Sequence, residues 1–243
     1  MSAAMAAISL VSFNTHYGLY AQRGRVVPYD LPAVLAALAA DVMVIQEVWR
    51  PDGGPGAVDE FAAKHGFAVH HTATGRATRH SRWPHHDPRG EGTAGTAVLT
   101  RVAARPLPDL PVGPTRGDPA PARRLPQVEL DGGAAPLRVV GVHLTSRLPH
   151  GPVLQLRRLA GLLPPAGVPT VVAGDCNFWG PPVVALLGPG WRRTVTGRTW
   201  PARWPHSQLD HVLVRGGEVE ATDAGVLDDC GSDHRPVRAH LTW

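Results

Sequence analysis

Short apolar runs that each stop at an acid, an amide or an imidazole constrain this chain more than any other feature. Ile8–Phe13 stops at Asn14, Val42–Ile45 leads through Gln46 to Glu47, and Val139–Val142 stops at His143. Thr170–Ala173 runs into Gly174-Asp175-Cys176-Asn177, Asp210 opens the run ending at Val214, and Ser232-Asp233-His234 precedes Pro236–Leu241. Continuous runs rich in β-branched residues read as strands buried on both faces. A sheet brings the ends of such strands to one edge, so polar groups far apart in sequence meet there.

The chain of 243 residues is read as one domain, residues 1–243, large enough to bury a full core without staples. Cys176 and Cys230 are its two cysteines, too few for a disulfide framework and without zinc-ligand spacing, so a reducing, cytoplasmic setting is expected. No basic segment precedes Ile8 as a signal peptide would require, and no run approaches the roughly 18 apolar residues of a membrane span. The formal charge of +4 rests almost wholly on arginine, Lys64 being the only lysine, and 27 Gly and 25 Pro point to compositional bias rather than to an anionic partner. Local clustering says more. Residues 186–206 carry Arg192, Arg193, Arg198 and Arg203 with Trp191, Trp200 and Trp204 and no acid. Arginine suits phosphate and tryptophan offers a stacking wall, although a solvated loop with half-buried rings has the same composition.

Helices are expected over Leu31–Ala40, with Asp30 as N-cap and Pro32 in the first turn, over Val58–His65 with Gly66 as its stop, and over Leu154–Leu163. Strands are expected at Ala68–His70, Ala94–Thr100, Gln127–Leu130, Leu137–His143, Thr170–Ala173, Gln208–Val214 and Pro236–Leu241. The stretches Thr72–Gly92 and Pro106–Pro126, rich in Pro, Gly, Arg and His, read as long surface loops. The mixture is α/β, sheets covered by helices.

Each polar group has two readings. Glu47, after a buried strand, is costly there unless a cation or water meets it, or it is an acid at the start of a loop. Asp175 and Asn177 share a side on an extended backbone, with Cys176 turned to the core; the acid can take a proton from water and the amide can fix that water, or the pair can close an Asx turn. An Asp beside a His, as at Asp233-His234, can orient the imidazole or hold metal. His143 is a satisfied buried histidine or a catalyst, and Asp210 a turn cap or a histidine's partner.

Eight strings in order resemble the endonuclease/exonuclease/phosphatase superfamily, which includes pancreatic-type deoxyribonucleases, abasic-site endonucleases, neutral sphingomyelinases, deadenylases and inositol-phosphate phosphatases. They are Ser12-Phe13-Asn14, Ile45-Gln46-Glu47-Val48, Gly95-Thr96-Ala97-Val98-Leu99-Thr100-Arg101, Val142-His143-Leu144, Gly174-Asp175-Cys176-Asn177, Thr199-Trp200-Pro201, Leu209 to Val214, and Ser232-Asp233-His234-Arg235-Pro236-Val237. The resemblance implies a four-layer α/β/β/α sandwich, two packed mixed sheets flanked by helices, with the site at one end. It implies a divalent-metal-dependent phosphoester hydrolase in which Glu47 holds Mg²⁺ or Mn²⁺ with Asn14 and Asp233 in the metal shell. Asp175 then activates the attacking water, Asn177 positions it, and His234 stabilises the transition state. His143 becomes a leaving-group acid, and Asp210 supports a histidine or a second metal.

Departures narrow the substrate. Glu47 is followed by Val48-Trp49 where abasic-site endonucleases carry Thr-Lys, and Pro201-Ala202-Arg203-Trp204-Pro205 lacks the Cys-Asp-Arg of the inositol-polyphosphate phosphatases. No amphipathic insertion marks a lipid-facing enzyme. A nucleic-acid phosphodiester is favoured, read by Arg198, Trp200, Arg203 and Trp204 and by Arg76, Arg79, Arg82 and Arg89 of the first long loop, with the protein acting as a monomer. A phosphomonoesterase or lipid phosphodiesterase, and a catalytically silent binding module, are the alternatives; the complete set of site residues argues against the last.

Overall fold

The computed structural model describes residues 5–22, 25–38, 40–79, 84–120, 122–147, 150–216 and 219–243. In chain order the elements are β1 (Ala7–Asn14), a 3-10 turn (His16–Gly18), β2 (Leu19–Gln22), β3 (Arg25–Pro28), α1 (Leu31–Leu38), β4 (Val42–Pro51), α2 (Ala57–His65), β5 (Ala68–Thr78), β6 (His85–His86), β7 (Gly92–Thr100), β8 (Ala104–Pro111), β9 (Arg124–Leu130) and β10 (Leu137–His143). Then follow α3 (His150–Leu162), β11 (Thr170–Asp175), α4 (Pro182–Leu187), β12 (Arg192–Arg193), β13 (Asp210–Arg215), β14 (Glu220–Val226) and β15 (Val237–Thr242).

Two mixed sheets result, one ordered β14-β15-β1-β4-β7-β5-β6 and the other β12-β13-β11-β10-β9-β8, with β2-β3 as a separate hairpin. The alternation of side chains along each strand assigns the layers. Leu10, Val42 and Val44 of the first sheet share a core with Val139, Val171, Ala173 and Val212 of the second. Their sequence neighbours point the other way: Val11, Phe13, Met43 and Ile45 pack under α1 and α2 through Leu35 and Phe61. Val140, Val142, Val172 and Leu213 pack under α3 and α4 through Leu156, Leu159 and Val183. The chain is thus a helix, sheet, sheet, helix sandwich, as expected. Gly141 sets how closely the sheets approach, since a Cβ there would lie 3.1 Å from the side chains of both Val44 and Val98.

The two long loops are corrected. Thr72–Gly92 is partly sheet, because β5 extends to Thr78 and β6 follows it at His85–His86. β5 carries no apolar run since most of its residues are only half-buried or exposed. Within Pro106–Pro126, β8 occupies the edge of its sheet, where an absent proline N–H leaves no ladder bond unmade, and Pro108 falls at a register shift between Leu107 and Leu110. Helix ends move by a few residues. α1 stops at Leu38, Ala39 lying outside the described residues, and α3 begins at His150 because Gly151 and Pro152 are buried without an apolar stripe to announce them. α2 starts at Ala57, its Asp59 carboxylate accepting from Gly56 N at 3.0 Å, and ends at Gly66 with φ 70°. Among the described residues no helix is long and apolar enough to cross a membrane.

Candidate active site

Register places the first three polar groups. His143 is paired with Asp175 across parallel β10 and β11, and Asp175 with Asp210 across antiparallel β11 and β13, so the three stand abreast at one sheet edge. The bend that ends β11 needs glycine, since Gly174 has φ 142° and a Cβ there would sit 2.0 Å from the Val142 carbonyl oxygen. The other sheet supplies Asn14 at the end of β1 and Glu47 from β4. Glu47 does not end its strand: β4 runs on to Pro51 past a register shift between Ile45 and Val48, and Glu47 sits in that bulge with φ 52°. Bulges re-aim side chains beside active sites, and this one turns the carboxylate to the cavity. Ser232 Oγ donates to the Asn14 carbonyl at 2.7 Å and pins the segment carrying Asp233 and His234 against β1.

Oδ2 of Asp175 is the centre of the arrangement. Asn14 Nδ2 donates to it at 3.1 Å and to Glu47 Oε1 at 3.2 Å, so one amide joins carboxylates from the two sheets. Asn177 Nδ2 donates to the same oxygen at 3.3 Å, while Asn177 N donates to Asp175 Oδ1 at 2.8 Å. Asn177 has φ 46° rather than an extended backbone, and the bond closes an Asx turn, so the turn and the site role coexist. Cys176 points to the core under α3, as expected. His234 Nε2 lies 3.7 Å and His143 Nε2 3.9 Å from Asp175 Oδ2, and His143 Nε2 is 3.6 Å from Glu47 Oε1. His234 Nδ1 is 2.8 Å from Asp210 Oδ2, with Asp210 fully buried behind the ring.

Burial and neighbours divide the charges. Burial raises Asp175 to about 7, with Asp210 adding to the rise and His234 opposing it. Glu47 is raised by burial and by Asp233, against His16 and His234. Burial alone would lower His234, but the carboxylates of Asp210, Asp175 and Asp233 outweigh it and hold the ring as an imidazolium well above the ordinary range. His143 goes the other way, lowered first by burial and then by its neighbours Arg123, His86 and His234. It is therefore neutral, and its distances to Glu47 and Asp175 are contacts rather than ion pairs.

A cavity of about 640 Å³ opens over these groups. Trp200 is in its wall, its Nε1 directed at Asp233 Oδ2 at 3.4 Å; Arg198, Arg203 and Trp204 are exposed and do not line it. Arg76 is held by Asp52 and the Gly90 carbonyl, Arg79 donates to the Tyr17 carbonyl, and Arg82 lies outside the described residues. The wall adds residues that sequence reasoning passed over: His16, Tyr17, His86, Arg123, Arg147 and Trp179. Arg123 is 3% exposed and fully engaged, with Nε and Nη2 each 2.9 Å from the Asp118 carboxylate and Nη1 donating to the His143 carbonyl at 2.9 Å. It sat in a stretch that looked like surface. His16 and Trp179 had a signal, each lying two residues beyond a site amide.

The donor chemistry fits a hard divalent cation. Glu47 and Asp233 are oxygen donors lining the cavity, and Glu47 is raised chiefly by burial, a cost that a bound cation would offset. Asn14, expected in the metal shell, lies beside Glu47 and Asp175. Its Oδ1 accepts from His16 N at 3.0 Å while its Nδ2 aligns the two carboxylates. A second group, Asp175, Asp210 and His234, brings three buried ligand atoms within 4.8 Å of one another, and in it His234 Nδ1 is hydrogen-bonded to Asp210 Oδ2.

Comparison with known proteins agrees with the fold. An endonuclease/exonuclease/phosphatase from Beutenbergia cavernae DSM 12333 matches with a TM-score of 0.71 at 21% identity, over 97% of this chain and 71% of that one. The D. rerio TDP2 complexed with single strand DNA product matches at 0.61 and 17% identity, over 97% and 99%. A mannosyl-6-phosphatase from Bacteroides thetaiotaomicron VPI-5482 matches at 0.67 and 12% identity, over 97% and 100%. No curated protein matches by sequence. The family model of the endonuclease/exonuclease/phosphatase family matches residues 11–234, nearly the whole chain. The chain belongs to the endonuclease/exonuclease/phosphatase family.

Proposed function

We propose that the protein is a divalent-metal-dependent phosphodiesterase, acting as a single-domain monomer in a reducing, cytoplasmic setting and cleaving nucleic acid by attack of activated water on phosphorus. The observation that carries this reading is the convergence on Asp175 Oδ2 of two amide donors, a cationic His234 and a neutral His143. A carboxylate held near neutrality takes a proton from water with little penalty in either state. Asn177 and Asn14 fix the carboxylate in the cavity wall. His234, kept charged and oriented by Asp210, donates to the phosphoryl oxygens as negative charge grows on them. His143, being neutral, orients water and substrate on the far side rather than serving as the acid expected from sequence; the leaving alkoxide takes its proton from solvent. Mg²⁺ or Mn²⁺, held by Glu47 and Asp233, supplies Lewis-acid stabilisation of the developing charge when bound.

Trp200 in the cavity wall and the DNA product recorded with the TDP2 relative favour nucleic acid; Arg198, Arg203 and Trp204 belong to this reading as outer contacts. The mannosyl-6-phosphatase relative favours a phosphomonoesterase as the second reading. Hydrolysis of bis-p-nitrophenyl phosphate, p-nitrophenyl phosphate and plasmid DNA separates them, with Mg²⁺, with Mn²⁺ and with chelator, beside a Glu47→Ala control. Metal-dependent cleavage of diester or DNA, lost in the control, is the expected result. Release of phosphate from the monoester alone would replace it with the second reading.

A further inference from the structure

The cavity is anionic at its floor and changes character at its rim. There the chain leaves β10 and β11 through two neighbouring segments, residues 144–147 and 176–179, joined by Asn177 Nδ2 donating to the Leu144 carbonyl at 2.9 Å. The first segment adds exposed Ser146 and Arg147 to the wall and the second adds exposed Trp179, and the chemistry above uses none of them; Arg147 and Trp179 are the large ones. Trp179 is 53% exposed, and its ring stacks on Phe178 with centroids 4.7 Å apart and planes inclined by 30°. Phe178 is anchored in the core beneath α3 and α4, so one face of the indole is backed and fixed while the other is open. Among the described residues the Arg147 guanidinium has neither a carboxylate nor a hydrogen-bond partner, whereas Arg123 in the same cavity is fully engaged. A rigid open ring loses little entropy on binding, and an unpaired guanidinium beside it selects an anion.

We infer that Trp179 and Arg147 form a subsite for single-stranded nucleic acid: one base stacks on the open face of Trp179, and a phosphate adjoining the scissile one meets Arg147. The inference rests on the phosphodiesterase reading and adds to it the strand form and the recognising residues. A paired base has its faces covered by its neighbours, so a single stacking ring favours an unpaired strand. A sugar also lies on tryptophan, but that does not account for the unpaired cation next to the ring.

The test is binding of a short oligothymidylate in chelator, read by fluorescence anisotropy, with each base in turn replaced by an abasic residue. In the wild type, removing one particular base weakens binding by roughly 5- to 100-fold, the range for one lost stack. In Trp179→Ala that penalty disappears, while Trp179→Phe keeps most of it. Arg147→Ala lowers the slope of log affinity against log salt by about 0.7, one phosphate of a single strand. An equal base-removal penalty in wild type and Trp179→Ala overturns the subsite, even if DNA is cut. A Trp179-dependent penalty without cleavage upholds the subsite and removes the activity reading. Hydrolysis of p-nitrophenyl esters with no oligonucleotide binding removes both the nucleic-acid reading and the subsite, as does a Trp179-dependent affinity for mannose 6-phosphate in its place.

Discussion

His234 Nδ1 lies 2.8 Å from the fully buried Asp210 Oδ2, and the opposite edge of the same ring faces Asp175 Oδ2 at 3.7 Å. One imidazole thus spans two carboxylates of different standing, one that orients it and one that works beside it. Asp210→Asn keeps the shape and removes the charge that holds the ring protonated. Turnover should fall by at least about 10²-fold with a nearly unchanged Michaelis constant, measured on bis-p-nitrophenyl phosphate. An unchanged rate would remove Asp210 from the site.

The pH profile follows from Asp175. Its carboxyl sits at about 7, and it acts as a base only when ionised. With His234 still protonated well above that pH, the rate should climb through an ionisation near 7 before any fall at higher pH. Asp175→Asn should lower the rate throughout and flatten the rising limb. A wild-type rate already level from pH 5 upward would contradict the assignment.

On the proposed reading, Glu47 trades stability for function. Its folded pKa is raised, so the ionised group costs stability that grows as pH rises through that pKa and vanishes below the unfolded value near 4.3. Glu47→Gln should therefore melt higher than wild type in chelator at pH 8 and show no such advantage at pH 4. Adding Mg²⁺ or Mn²⁺ should raise the wild-type melting temperature and leave the variant unmoved. A variant that melts lower in chelator at pH 8 would sink this account.

Arg123 and Asp118 are 3% and 7% exposed and hold each other through two 2.9 Å bonds, with Gln155 Nε2 donating to the same carboxylate at 2.9 Å. Removing one partner strands a charge, so Arg123→Ala should cost about 3–5 kcal/mol in urea unfolding. The double variant Arg123→Met/Asp118→Leu should recover much of that. Failure of the double to improve on the single would mean that the bond to the His143 carbonyl, and not the charge pair, carries the effect.

What could be read from sequence were the strands that are apolar on both faces. β1, β10, β11 and β13 announce themselves because both their faces lie in cores, and the polar residues at their ends were legible for the same reason. Strands with one wet face, such as β5 and β14, carry no continuous run, and β8 hides behind prolines that only an edge tolerates. Arg123 escaped because a buried arginine looks like a surface one until its partner Asp118 is seen beside it. Glu47 was found as a residue but misplaced as a strand end, since a one-residue bulge leaves no mark in the pattern of apolar residues.

The order of strands has a consequence for when the chain can act. β1 pairs with β4 on one side and with β15 on the other, so the first strand waits for the last, and the Ser232 hydroxyl that anchors His234 reaches back to Asn14. A chain cut after residue 230 holds both asparagines and four of the six acid and imidazole groups of the candidate site, and lacks Asp233 and His234. On the proposed reading, such a shortened chain should stay inert toward phosphoesters until β15 seats against β1 and brings the last two groups to the centre.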